Sequence, residues 1–231
     1  MTQRRYFSSQ PIDGDSVTLA GEEFRHIVTV MRAQVGNEME IVDGRGKWVR
    51  AVIRKMDHHS LRAEVVESKC EARPAVHVII APSLTKSHGM NWMIEKLSEM
   101  GVDEIWPIIA ERTDACSSEA LLEKWKKIAS QSLKVNRRLW RTEIRPPISL
   151  GELIVAAAGI PTKILLEIDG KSRLRPPVPF PAVAAIGPPG DFTEEERNRF
   201  RKGGFTGCQI NNAVLKTETA ALAAAAILKN D

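Results

Sequence analysis

The chain has 231 residues, of which 43% are hydrophobic and 27% charged, and 33 Lys and Arg against 29 acids give a net charge of +4. This length suits one large domain, or a small domain together with a medium-sized one. The three cysteines, Cys70, Cys116 and Cys208, lie far apart and form no C-x-x-C pair, so a disulfide framework or a zinc site is unfavoured.

No segment has the features of a membrane anchor or a signal peptide. The longest nearly apolar run, residues 220–228, is far shorter than the ~20 residues that span a bilayer. The chain begins with polar residues and no signal-type apolar segment. The five histidines show no metal spacing. We therefore expect a cytoplasmic protein that binds neither a membrane nor a metal.

The first 70 residues favour short strands around one helix. Strand patterns cover residues 16–19, 38–42, 47–54 and 61–66. Residues 22–32 place Phe24, Ile27, Val28 and Met31 at the i, i+3, i+4, i+7 spacing of an amphipathic helix. The pattern predicts a small β-barrel with one packed helix, and the composition changes at residues 70–74.

Beyond residue 74, predicted strands alternate with predicted helices. The strands cover residues 76–81, 104–109, 163–168, 182–187 and 207–210. The helices cover residues 90–100, 118–134, 193–201 and 217–229. The proline-rich residues 173–181 are expected to form an extended connection. Alternation of this kind predicts an α/β fold with a largely parallel sheet.

Residues 124–145 form a basic segment with a net charge of +7. It has a single acid, Glu143, against eight cations: Lys124, Lys126, Lys127, Lys134, Arg137, Arg138, Arg141 and Arg145. Such a cluster attracts polyanions such as RNA. A solvated helix face produces the same pattern, so the charge alone leaves both interpretations open.

Residues 186–196, I-G-P-P-G-D-F-T-E-E-E, predict a strand, a glycine- and proline-rich turn and a capped helix. Gly187 and Gly190 would allow a ligand to approach the backbone closely. The three glutamates at the helix start complement the helix dipole and would repel an anion. The loop therefore suits a neutral or cationic ligand, such as an adenosine with a sulfonium, better than a phosphate. An ordinary tight turn before a helix is the simpler alternative.

Residues 210–220, I-N-N-A-V-L-K-T-E-T-A, precede an alanine-rich segment. Thr217 is a candidate N-cap, and Glu218 lies in the first turn of the predicted helix. The alanines would allow another backbone to approach closely, although simple helix propensity also explains them.

Taken in this order, the two motifs I-G-P-x-G-x-F-[ST]-x-x-E and L-K-x-E-T-A resemble those of the SPOUT superfamily of RNA methyltransferases. Within it, the chain resembles the family that methylates N3 of a uridine in 16S ribosomal RNA. Residues 4–7 (R-R-Y-F), 24–32 (F-R-H-I-V-T-V-M-R), 95–102 (E-K-L-S-E-M-G-V) and 130–132 (S-Q-S) are also similar to that family. The resemblance covers nearly the whole chain.

This resemblance implies a PUA-like RNA-binding β-barrel over residues 1–70 and a knotted SPOUT methyltransferase domain over residues 74–231, with a trefoil-knotted parallel sheet. It also implies a homodimer with S-adenosylmethionine as cofactor. Backbone groups of three loops, with two residues nearby, would hold that cofactor: Leu165, Leu166, Glu167, Ile186, Gly187, Pro188, Gly190, Ile210, Asn211 and Leu215, with Phe192 and Thr219.

The expected reaction is methyl transfer to N3 of a uridine, with ribosomal RNA or the small ribosomal subunit as partner. Lys216 and Arg173 are candidates for stabilising negative charge on the base oxygens, and Glu218 for orienting the last loop. RNA contacts are expected from eight cations: Arg4, Arg5, Arg25, Arg32, Lys134, Arg137, Arg138 and Arg141. A weakly catalytic RNA-binding protein of the same fold and a knotted methyltransferase of another RNA, such as a tRNA, remain alternatives.

The chain departs from the family pattern at five positions in these motifs. Pro189 and Asp191 replace Glu and Gly, and Asn211 and Lys216 replace Gly and Arg. Ala213 replaces an arginine, which leaves one cation fewer beside the reacting base. This last departure favours the weakly catalytic alternative.

Overall fold

The computed structural model describes residues 5–113 and 118–230. These residues form two compact units, which are described separately. The first contains the described residues up to Arg73 together with Ser130–Arg141, and the second contains Pro74–Ala129 and the described residues from Thr142 onward.

The N-terminal unit is built on a five-stranded sheet in the order β1-β3-β4-β5-β2. Its strands are β1 (Arg5–Phe7), β2 (Ser16–Ala20), β3 (Glu38–Val42), β4 (Lys47–Met56) and β5 (Ser60–Cys70). β1 pairs with β3 in parallel, and the other neighbours are antiparallel. Val49, Ala51 and Ile53 alternate toward the core along β4, as expected of a sheet with one buried face.

The predicted helix at residues 22–32 is replaced by two shorter helical segments. A short α1 (Gly21–Arg25) continues as a π-helical turn over His26–Val30. Four successive residues of this turn, Ile27 to Val30, are β-branched, and such side chains disfavour a regular α-helix. Phe24 and Ile27 are nevertheless buried, so the predicted apolar stripe does face the core.

Residues 130–141 belong to the N-terminal unit, whereas the division predicted at residues 70–74 places them in the second one. They include the last seven of the 18 residues of α3 (Glu119–Asn136). Leu133 and Leu139 pack against Val42 of β3. The Trp140 indole donates to the backbone carbonyl of Glu71 at 3.0 Å. These contacts join residues distant in sequence, which local patterns do not reveal.

The second unit contains the predicted parallel sheet, with seven strands in the order β12-β14-β11-β13-β6-β7-β9. All of these pairs are parallel, so the α/β prediction is confirmed. Its elements in chain order are β6 (Val78–Pro82), α2 (Ser87–Glu99), β7 (Glu104–Ile105), β8 (Ile108–Ile109), β9 (Glu143–Ile144), β10 (Ile148–Ser149), α4 (Leu150–Ala156), β11 (Thr162–Leu166), β12 (Ser172–Arg173), β13 (Ala182–Ile186), α5 (Glu194–Lys202), β14 (Thr206–Gln209) and α6 (Thr217–Lys229).

Two hydrophobic clusters cover the faces of this sheet. Along β13, Ala182 and Ala184 face the cluster that contains residues of α2 and α6, while Val183 and Ala185 face the cluster with α4 and α5. A strand buried on both faces is apolar throughout, as β13 is. Its small side chains leave room for helices on both sides.

Several short elements differ from the prediction. The strand predicted at residues 104–109 is two strands, β7 and β8, separated by Trp106 and Pro107, and β8 pairs with β10 in a separate ladder. Proline has no N–H to give to a ladder, which accounts for the break. β9, β10, β12 and α4 were not predicted, although Ser149 and Glu152 form a capping box at the start of α4.

Candidate active site at the C-terminal edge of the sheet

Four neighbouring strands, β14, β11, β13 and β6, run parallel, so the loops that follow them meet at one edge of the sheet. Leu165 pairs with Ala185, and Leu166 pairs with Cys208. The three predicted cofactor loops, which are far apart in sequence, follow three of these strands. Ligands of open α/β sheets bind outside the carboxyl ends of the strands, which makes this edge the candidate active site.

The loop after β13 is held by two hydrogen bonds from other segments, and there is open space beside Gly190. The Thr217 hydroxyl donates to the Gly187 carbonyl at 2.9 Å, and the Arg112 guanidinium donates to the Gly190 carbonyl at 2.5 Å. Gly190 has φ +89°, and a Cβ there would meet nothing within 4 Å. The loop is thus positioned firmly, while the space beside Gly190 is free for a ligand.

The start of α5 forms the predicted capping box. The Thr193 hydroxyl accepts from the Glu196 backbone N–H, and the Glu196 carboxylate accepts from that of Thr193 at 2.9 Å. Glu196 is buried and also accepts from the Glu111 backbone N–H at 2.8 Å. Glu111 and Arg112 are neighbours in the chain, so one segment supports both the start of α5 and the loop before it. Sequence reasoning missed Arg112 because no motif marks it.

Several predicted cofactor residues have buried side chains. The Phe192 ring is 1% exposed and packs edge-on against Phe200 with ring centres 5.0 Å apart. Leu165, Leu166 and Ile186 are also buried in the two clusters. Only their backbone groups remain for a ligand.

Glu167, at the end of β11, is bonded within the unit. Its carboxylate accepts from Arg201 at 2.8 Å, and its backbone N–H donates to the Cys208 carbonyl at 2.9 Å. Burial raises the pKa of this carboxyl above its ordinary value, while Arg201 and Arg197 act in the opposite direction. The carboxylate and the backbone N–H of Glu167 already bond to Arg201 and Cys208, so a ligand that bonds to either group would have to share it.

The last predicted loop, residues 210–216, combines internal hydrogen bonds with exposed apolar surface. The Asn211 side chain accepts from the Ala213 N–H, and the Asn212 side chain accepts from Arg173, both at 3.0 Å. Val214 is 87% exposed, and Ile168 after β11 is 43% exposed. Exposed aliphatic side chains beside polar backbone groups suit a flat, partly apolar ligand.

The three candidate catalytic residues lie around this edge. Arg173, on β12, reaches the last loop through Asn212. Lys216, and not the predicted Thr217, occupies the N-cap position of α6, because the Thr217 hydroxyl donates to the Gly187 carbonyl instead of capping the helix. Lys216 is exposed and makes no ion pair within the described ranges. The Glu218 carboxylate lies against the Cα of Gly89 on α2. Thr219, a predicted cofactor contact, is exposed on α6, and Ile210 and Leu215 are half-buried.

The predicted RNA-binding cations that the structure describes all belong to the N-terminal unit, and Arg4 lies outside the described residues. Some of them have structural partners. Arg5 pairs with Glu40 at 3.3 Å, Lys134 pairs with Glu23, and the Arg141 guanidinium donates to the Ser130 hydroxyl at 3.1 Å.

Other cations of this set face solvent. Arg25, Arg32 and Arg137 are exposed, and none of them forms an ion pair with another described residue. Arg138 is half-buried, and its Nε has no hydrogen-bond partner among the described groups. The basic segment predicted as one run is therefore divided, since Lys124, Lys126, Lys127 and Arg145 lie in the second unit.

Neither a metal cluster nor a membrane helix is found in the described part of the chain. No group of three or more His, Cys, Asp or Glu side chains there could hold a metal ion. No helix there is long and apolar enough to cross a bilayer.

The parallel sheet with its loops gathered at one edge is typical of α/β enzymes that bind a ligand at the C-terminal edge of the sheet. This chain has, in addition, a β-rich unit at its N-terminus. The chain belongs to the RNA methyltransferase family, whose domain model matches residues 72–229. A second model, that of the RNA methyltransferase PUA domain, matches residues 19–66 and confirms the PUA-like prediction.

Curated relatives carry the name ribosomal RNA small subunit methyltransferase E, among them proteins from Aquifex aeolicus and Synechocystis sp.. The protein from Aquifex aeolicus is 28% identical over 97% of this chain and 98% of its own length. The protein from Synechocystis sp. is 27% identical over 95% of this chain and 75% of its own length.

Solved structures agree with the fold along nearly the whole chain. A putative methyltransferase from Legionella pneumophila, in complex with S-adenosylmethionine, superposes with a TM-score of 0.87 at 23% identity over 99% of this chain and 98% of that one. Ribosomal RNA small subunit methyltransferase E from Neisseria gonorrhoeae, bound to S-adenosylmethionine, gives 0.85 at 25% identity over 97% and 95%.

Proposed function

We propose that this chain transfers a methyl group from S-adenosylmethionine to N3 of a uridine in the RNA of the small ribosomal subunit. The observation that carries this proposal is the meeting of three motif-bearing loops at one sheet edge, in a chain of the RNA methyltransferase family. The names of the Aquifex and Neisseria proteins support small-subunit RNA as substrate. The N3 atom and the trefoil knot come from the resemblance in the sequence motifs.

The residues at this edge fit the proposed cofactor. The space beside Gly190 is open, so a ligand can reach the backbone of the loop. Val214 and Ile168 offer exposed apolar surface to an adenine ring. At the start of α5, Asp191 pairs with Arg197 and Glu194 pairs with Arg201, both at 3.0 Å. Glu195 is exposed and forms no ion pair with another described residue, so it adds negative charge that favours a cation over an anion. When bound, S-adenosylmethionine supplies a methyl group on a positively charged sulfur.

Methylation at N3 requires loss of the imide proton, and negative charge then develops on the two flanking oxygens. Preorganised cations beside those oxygens stabilise this charge. Lys216 and Arg173 lie on or against the last loop and are the proposed donors. Arg173 would exchange its bond to Asn212 for one to the base.

The proposed partner is ribosomal RNA or the small subunit, in the cytoplasm, and the N-terminal unit would supply the RNA-binding surface. Arg25, Arg32 and Arg137 are exposed and available to phosphates. We also propose a homodimer. The helices α2 and α6 pack against each other. Trp92 on α2 is 43% exposed and Ala226 on α6 is exposed, so the two helices offer apolar surface to a second copy of the chain.

The test is transfer of labelled methyl groups to purified small subunits, free 16S RNA, tRNA and no RNA. Incorporation into the small-subunit samples, mapped by mass spectrometry to N3 of one uridine, is the expected result. Incorporation into tRNA alone would favour a methyltransferase of another RNA. Methylation of a ribose or of another base atom would overturn the N3 assignment.

One observation favours the weakly catalytic RNA-binding alternative. Ala213 occupies a position at which the family motif has an arginine, and its N–H is bonded to Asn211. Tight binding to small-subunit RNA and to S-adenosylmethionine, with no methyl transfer under single-turnover conditions, would support that alternative.

A further inference from the structure

The loop after β6 lies at the same sheet edge and contains two buried hydroxyls without partners. The Ser83 N–H donates to the Ile186 carbonyl at 2.8 Å, so this loop lies beside the one that begins at Gly187. The Ser83 side chain is fully buried and Thr85 is 7% exposed, yet neither hydroxyl finds a hydrogen-bond partner within residues 5–113 and 118–230. Buried hydroxyls in native proteins are almost always bonded, to protein groups, to water or to a ligand, so these two hydroxyls are available to a ligand.

The Glu218 carboxylate lies next to one of these hydroxyls. Gly89, in the first turn of α2, has no Cβ, and an added Cβ would stand 3.1 Å from Thr85 Oγ1 and still closer to a carboxylate oxygen of Glu218. The Thr85 hydroxyl and the Glu218 carboxylate therefore both lie close to the Cα of Gly89. No donor or cation in the described ranges bonds to the Glu218 carboxylate, although it is half-buried.

This pair is joined to the loop of the candidate cofactor site. Glu218 follows Thr217, whose hydroxyl donates to the Gly187 carbonyl at 2.9 Å. α6 packs against β6 and β13, and the bond from Thr217 to Gly187 places the start of α6 beside the loop that follows β13. The geometry thus places a free carboxylate and a free hydroxyl beside the loop that would hold the methyl donor.

We propose that Glu218 accepts the proton that the target nitrogen loses, and that the Thr85 hydroxyl bonds to the carbonyl oxygen beside that nitrogen. The inference rests on the proposed function, and it assigns Glu218 a direct role rather than the loop-orienting one. The ligand class is an imide edge, which presents one N–H donor between two carbonyl acceptors. The carboxylate can accept from the N–H of this edge, and the hydroxyl can donate to a neighbouring carbonyl oxygen.

The step balances without a further reactant. The N3–H proton moves to the Glu218 carboxylate, and the electron pair stays on nitrogen. That pair then forms the N–C bond to the methyl carbon while the C–S bond breaks, and its electrons neutralise the sulfonium. Glu218 returns the proton to water after the product leaves.

The first experiment compares Glu218→Gln with wild type from about pH 6 to about pH 9, with single-turnover methyl transfer as readout. We expect the single-turnover rate constant for methyl transfer to fall by roughly 10²–10⁴-fold near neutral pH, the usual contribution of a positioned base. The residual rate should rise about tenfold per pH unit, because solvent must then ionise the base. Cofactor affinity and KM for RNA should stay within about twofold. The control Glu143→Gln, exposed on the edge strand β9, should match wild type.

The second experiment uses Thr85→Val, which keeps the shape and removes the hydroxyl. Because that hydroxyl has no partner in the fold, the melting temperature should stay the same or rise, while kcat falls by about tenfold or more, the effect of a lost hydrogen bond to a charged group. The control Thr206→Val, exposed at the opposite end of β14, should change neither quantity.

The outcomes separate this inference from the proposed function. A wild-type protein that methylates no RNA would overturn both. An active wild type whose Glu218→Gln variant keeps full activity, or loses the same factor at every pH, would overturn the inference alone. A lowered melting temperature in Thr85→Val, with activity unchanged, would assign that hydroxyl to the fold.

Discussion

The space beside Gly190 provides a sharp test of the cofactor site. A valine there would project into the open region where we expect S-adenosylmethionine to approach the backbone. Since Gly190 has φ +89°, the substitution also strains the chain, by roughly 1–3 kcal/mol. Gly36 in the N-terminal unit has φ +93° and the same open surroundings, so Gly36→Val should impose a similar strain away from the site.

The assay is thermal unfolding with and without cofactor. At a cofactor concentration of about 100 Kd, binding adds ~2.7 kcal/mol to the free energy of unfolding. For a chain of this size, that corresponds to a rise of roughly 5–10 °C in Tm. Wild type and Gly36→Val should both show this rise, and Gly190→Val should not. A full rise in Gly190→Val would refute the placement of the cofactor at this loop.

Three further predictions concern charge. If Lys216 compensates for Ala213, Lys216→Ala should lower kcat by roughly 10²–10³-fold, and Ala213→Arg should give little gain; the reverse result in methyl-transfer kinetics would favour the weakly catalytic alternative. The triple variant Arg25→Ala, Arg32→Ala, Arg137→Ala should weaken RNA binding and flatten its salt dependence, with log Kd losing a slope of about 0.7–0.9 per phosphate contact removed; unchanged binding in filter assays would contradict an RNA surface on the N-terminal unit. Burial alone would raise the pKa of the Glu104 carboxyl, but the Trp106 N–H, Arg145 and His77 together lower it below its ordinary value. The ionised carboxylate therefore stabilises the fold at pH values above the ordinary pKa, and this stabilisation is lost as the pH falls through the lowered pKa. Glu104→Gln should therefore cost about 1–3 kcal/mol at pH 7 and much less in acid, measured by urea unfolding; an equal cost at both pH values would show that the charge is irrelevant.

Local patterns predicted the elements whose stabilising contacts lie within a few residues. The helix at residues 217–229 has the same bounds in the structure as in the prediction, because its alanines favour a helix regardless of context. The Thr193–Glu196 capping box likewise needs only residues three apart. The strands β9, β10 and β12 were missed because each has two residues, and such a segment becomes a strand only through its neighbours.

The motifs also indicated which loops form the candidate site, because glycine, proline and capping residues mark them in the sequence. The order of the strands decided that these loops meet, since β11, β13 and β14 become neighbours only in the folded sheet. Arg112, Thr85 and Gly89 carry no local signal, and their positions beside Gly190 and Glu218 come from contacts between distant segments. The sequence by itself therefore determined the fold class and the loops, whereas packing between distant segments decided which side chains face one another across the site.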